Sequence, residues 1–125
     1  MEWTIDYLEK ESVVLIKTSG VITWEEHWKM CEEALHFARD HNAHKYLTDH
    51  RDLKPGLTIF QIDDMPQKFQ EIGVGIEEKI AVVYDPANER NFKFFQSVSK
   101  IASLNFQIFT DRDKATAWLK SGLQP

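Results

Sequence analysis

The chain has 125 residues, 42% apolar and 28% charged, with a net charge of −5. That balance supports one globular core and excludes the basic field that nucleic acid or an anionic membrane surface requires. A single cysteine, Cys31, excludes an internal disulfide and a multi-cysteine zinc site. No apolar run approaches the roughly 20 residues needed to cross a bilayer, and Met1 leads into a polar segment without a signal-like core. The expectation is a single cytoplasmic domain spanning residues 1–125.

Residues 2–8 alternate, with Trp3, Ile5 and Tyr7 on one side, as an edge strand with one wet face does. A polar turn over residues 9–12 joins them to the apolar strand Val13-Val14-Leu15-Ile16, and the short link favours an antiparallel hairpin. Gly20 closes this strand, and Thr23 with Glu26 forms a capping box. The helix that follows covers residues 24–41. Trp24, Trp28, Cys31, Leu35 and Ala38 share one face, with Met30, Phe37 and His41 as a second stripe beside it.

Residues 45–49 read as a short strand and residues 50–56 as a turn. Thr58 caps a second helix in which Pro66 predicts a kink or a break, closed by Gly73 and Gly75. Ile80-Ala81-Val82-Val83 has no polar alternation and reads as a strand covered on both faces in the middle of a sheet. Asp85 and Pro86 then start a helix over residues 86 to about 104, with Phe94, Phe95, Val98, Ile101 and Ala102 facing inward and Phe92 off that stripe. Residues 106–109 form the last strand. Thr110 with Asp113 starts the last helix, docked by Ala115, Trp118 and Leu119 before Gly122. The order β-β-α-β-α-β-α-β-α predicts an α/β fold with a five-stranded mixed, mainly parallel sheet, one hairpin followed by three right-handed crossovers.

The hairpin, Gly20-Val21-Ile22-Thr23, Tyr46-Leu47-Thr48-Asp49-His50-Arg51-Asp52, the aliphatic strand and Ala115 with Trp118 and Leu119 together carry a likeness. In this the chain resembles the SpoIIAA-like proteins, an uncharacterised bacterial branch of the STAS/Sec14-like superfamily. The resemblance implies a compact domain for protein interaction or small-ligand binding, not turnover. It also implies, for the anti-sigma-factor-antagonist branch, a phosphorylated serine preceded by aspartate after the third strand. Here that region reads Leu57-Thr58-Ile59-Phe60, so Thr58 is the nearest possible phosphosite, with a helix cap as its plain role.

Ligands of open parallel sheets sit beyond the carboxyl ends of the strands, where Asp49, His50, Arg51 and Asp85 are expected to converge. Such a set orients a polar ligand or performs acid/base chemistry, although Asp49 pairing with Arg51 and Asp85 capping a helix is the stronger explanation and needs neither. Met30, Phe37 and Phe92 either line an apolar pocket, form a dimer surface, or pack under the loop around Pro55. Glu32, His36 and Asp40 at four-residue spacing read as a solvated helix face and His27 with Cys31 as core, so no metal or cofactor is expected.

The leading expectation is a non-enzymatic domain that binds a protein partner or a small apolar or amphipathic ligand, as a homodimer. The alternatives are an enzyme using the polar cleft and a phospho-switched regulator. The three readings predict different structures. A working cleft needs Asp49 or Asp85 perturbed beside His50, a carrier needs a cavity walled by aromatics of the first and third helices, and an interaction module needs Met30 and Phe37 buried only in an oligomer.

Overall fold

Residues 1–121 are described by a computed structural model. Strands β1 (Glu2–Leu8) and β2 (Val13–Val21) form the antiparallel hairpin, with Ile5 opposite Ile16. Strands β3 (Lys45–Lys54), β4 (Lys79–Val83) and β5 (Asn105–Phe109) add to it in parallel, giving the order β1-β2-β3-β4-β5. Helices α1 (Trp24–Asp40), α2 (Ile59–Glu71) and α3 (Glu89–Ile101) make the three crossovers, and α4 (Arg112–Lys120) follows the last strand.

Strand alternation sorts the aliphatic residues into two cores. Val14, Ile16, Tyr46, Ile80, Val82 and Phe106 point to the side where Trp28, Met30, Phe69 and Phe95 of the crossover helices pack. Val13, Leu15, Leu47, Ala81 and Val83 point to the other side, against Ala115 and Leu119 of α4. Covered on both faces, β4 is buried at all five positions and lies inside the sheet between β3 and β5. Three crossover helices on one face are what successive crossovers of one hand produce when each strand is laid beside the last.

Several local expectations are corrected. Strand β3 continues to Lys54 where a turn from His50 was expected, because β2 also runs on to Val21 and pairs again with Asp52, Leu53 and Lys54. Helix α2 passes through Pro66 unbroken. The residue before it, Met65, is buried against the core, so packing outweighs the local preference against a helix there. Asp85 caps only a 3₁₀ turn, Pro86–Asn88, and α3 starts after it. On α3, Ile101 is 84% exposed where an inward position was expected, and Ser99 takes the buried place. The cap of α4 is Asp111, whose carboxylate accepts from the amides of Asp113 and Lys114, and not Thr110. Gly122 lies outside the described residues.

Met30, expected at a pocket or dimer surface, is buried in the core at 2% exposure. Phe37 is half-buried, its ring 4.4 Å from that of His41, which in turn lies 4.5 Å from Tyr7 of β1. Neither residue offers an open apolar face.

Candidate functional site

The site originates in an irregularity between β2 and β3. Lys17 pairs with Asp49 but Ser19 pairs with Asp52, so β3 holds one residue more than its neighbour across Thr18. Such a bulge resets the side-chain alternation and re-aims the residues that follow. Here it turns Leu53 to the same side of the sheet as His50, and both line one pocket.

That pocket has a volume of about 90 Å³ and opens between the carboxyl ends of β3 and β4, the first turns of α1 and α3 and one face of α2. Leu53 and Val82 form its floor, Ile62, Met65 and Phe69 of α2 one wall, and Phe92 and Phe95 of α3 the other. Pro55, Gly56 and Leu57 edge the mouth with the exposed Lys54. Gly56 is required there: a Cβ would collide with the carbonyl oxygen of Ile22 and lie 2.9 Å from Cγ1 of Val21. Behind the pocket the aromatic rings lock one another at 4.8 Å (Trp28–Phe69) and 5.0 Å (Phe69–Phe106 and Phe95–Phe106). Such tilted contacts hold the wall rigid.

Two buried imidazoles interrupt the apolar lining, with the half-buried Asn88 and Asn91 at the start of α3 as its other uncharged polar residues. His50 places Nδ1 2.7 Å from Oγ1 of Thr18, and that hydroxyl donates to the carbonyl oxygen of Asp49 at 3.2 Å. A hydroxyl has one proton; placed on the Asp49 carbonyl, it leaves Thr18 to accept from Nδ1–H of His50, the tautomer in which Nε2 is an unprotonated acceptor on the opposite ring edge. His27, in the first turns of α1, has Nε2 3.6 Å from Sγ of Cys31, while its buried Nδ1 has no hydrogen-bond partner among the described residues. Burial pushes His50 down to about 4, and burial with the neighbouring His50 pushes His27 down to about 3. Both rings are neutral at pH 7.

The polar quartet expected to converge is divided by the sheet. Asp49 binds Arg51 in a two-point ion pair, Nε to Oδ1 at 2.9 Å and Nη2 to Oδ2 at 2.7 Å. These residues face the α4 side, where Arg112 acts on Asp49 and Asp111 on Arg51. The Arg51 hydrogen bond holds the Asp49 carboxyl below its ordinary range. Successive residues of a strand point to opposite faces, which separates Asp49 from His50. Asp85 is exposed and accepts from the amide of Ala87 at 3.0 Å.

Phe92 does reach His50, with ring centroids 6.1 Å apart, and stacks on Tyr84 at 4.9 Å. It lay off the helical stripe because it packs on a strand end instead of the sheet face. Thr58 is engaged in a reciprocal cap, its Oγ1 accepting from the Gln61 amide at 3.1 Å and its own amide donating to Oε1 of Gln61 at 2.9 Å. Thr18 and Leu53 escaped the sequence reading, and His27 was read there only as core. The only signal for His27 was a histidine on the buried side of a helix directly after a strand end.

No group of three or more His, Cys, Asp and Glu side chains able to hold a metal occurs among the described residues. None of their helices is long and apolar enough to cross a membrane. No curated protein and no solved structure matches the chain significantly. A family model does match, and it spans residues 13–120, from the second strand of the hairpin to the end of α4. With the mixed five-stranded sheet and its alternating helices, that match places the chain in the SpoIIAA-like family.

Proposed function

We propose that this protein is a non-enzymatic binding domain of the cytoplasm that takes a small, largely apolar ligand in the pocket between α2, α3 and the carboxyl ends of β3 and β4. The observation that carries the reading is the lining itself: a preformed concavity of aliphatic and aromatic side chains interrupted by a few polar atoms. The walls are supplied by Phe92 and Phe95 of α3 and by Phe69 of α2; α1 contributes His27 in place of a larger aromatic.

Chemistry at the polar quartet is disfavoured on two grounds. Asp49 is committed to Arg51 on the opposite face, and a histidine held near 4 is a weak base at neutral pH, where a catalytic base is best matched to its medium. The test is ¹⁵N–¹H and methyl NMR of the protein titrated with p-xylene. Shifts confined to Leu53, Met65, Phe92 and Phe95, abolished by plugging the mouth with Leu57→Trp, support the reading. Shifts absent, or spread over the α4 face, overturn it.

A protein partner, including a second copy of this chain, is the second reading. It is favoured by Val21, Ile59 and Phe60, exposed at 50%, 47% and 79%, which flank mouth residues Ile22 and Leu57. Light scattering across a concentration series, with Phe60→Ser as comparison, tests the homodimer: a mass fixed at that of the monomer removes it.

A further inference from the structure

Resting on the pocket reading above, we infer that the ligand is a neutral molecule bearing a hydroxyl, a phenol or an alcohol, which donates to Nε2 of His50 while its apolar body lies against Phe92 and Leu53. The direction of the hydrogen bond follows from the chain of atoms behind the ring. The carbonyl oxygen of Asp49 takes the Thr18 proton, Thr18 takes the Nδ1 proton of His50, and Nε2 is left with a lone pair and no hydrogen bond among the described residues. A ring that lines an apolar pocket and offers only an acceptor selects a donor.

An anion is poorly served, since both imidazoles are uncharged at neutral pH, and Lys54, the one cation in the lining, is exposed at the rim. At the starts of α1 and α2, the amides of Glu26, Thr58 and Gln61 are engaged by the Thr23 and Thr58–Gln61 caps. An ammonium would enter the apolar lining without a counter-charge, which desolvation forbids.

The test uses three probes of one shape on the whole chain: p-cresol, p-xylene and p-toluate, followed by calorimetry and by the ¹⁵N shifts of the histidine rings. p-Cresol is expected to bind about tenfold more tightly than p-xylene, the range in which one hydrogen bond to a buried acceptor discriminates. It is also expected to move the Nε2 resonance of His50, which p-xylene leaves in place. In His50→Phe the cresol advantage should vanish while p-xylene still binds; the ring shift in the unaltered protein decides the matter if that variant does not fold. Equal affinities with no Nε2 shift would overturn the hydroxyl inference and leave the pocket reading standing. Tightest binding by p-toluate, lost in Lys54→Ala, would overturn it in favour of an anion at the rim. Failure of all three probes to bind would overturn both readings.

Discussion

Lowering the pH from 7.5 to 5 is expected to weaken the fold through two buried histidines. His27 and His50 titrate near 6.5 when exposed, and burial brings them to about 3 and about 4 in the native protein. Below 6.5 the unfolded chain therefore takes up protons that the folded one refuses, and stability falls with falling pH. Above the unfolded value the contribution is complete, and the loss continues down to the folded values. Each histidine removes about 1.4 kcal/mol per pH unit inside that window, so the pair removes on the order of 4 kcal/mol by pH 5. That is a large part of the roughly 5–15 kcal/mol typical of a folded domain.

Asp49 is also shifted downward, but by its hydrogen bond from Arg51 and not by burial. Its lowered carboxyl stabilises the fold above the ordinary value of 3.8 and loses that effect only below it, outside this window. Urea unfolding followed by tryptophan fluorescence at pH 7.5 and 5 measures the difference, with Trp28 as a buried reporter. His27→Leu and His50→Asn should each remove about half of the pH effect whatever their absolute stability. A wild-type change below about 1 kcal/mol, or one retained in both variants, would show that these rings are solvated and refute the reasoning.

Other perturbations read the same architecture. Phe69→Ala deletes the ring on which Trp28, Phe95 and Phe106 converge and should cost about 3–5 kcal/mol in chemical denaturation. Gly56→Ala forces a Cβ against the Ile22 carbonyl and should cost about 1–3 kcal/mol while blunting p-xylene binding, as calorimetry would register. Thr18→Val strands Nδ1–H of His50, lowering stability by about 1–3 kcal/mol and altering the ring ¹⁵N pattern of that residue. Thr58→Ala removes one half of the cap and should cost about 1 kcal/mol in urea midpoint analysis without changing probe affinity; a changed affinity would tie that cap to the pocket.

Strands and helices were legible wherever a period was long and the residue types agreed with it. The aliphatic segment of β4, the hairpin and the tryptophan stripe of α1 all stand where periodicity placed them. What failed was local punctuation set against packing. Pro66 did not interrupt α2, and Ile101 is exposed although its sequence position matched the buried stripe. In both, tertiary contacts rather than propensity decide the outcome.

From the residues alone, the layered α/β order and the family likeness follow, because binary patterning depends on neighbours only a few positions apart. The pocket depended on the folded chain. Its geometry turns on one extra residue in β3 opposite Thr18, which moves His50 from a supposed polar turn into a buried strand and brings Leu53 round beside it. Pairing between strands more than thirty residues apart leaves no local mark. Strand alternation puts Asp49 and His50, adjacent in the chain, on opposite sides of the sheet, and long-range packing alone brings His27 and Phe92 to His50 around one small cavity.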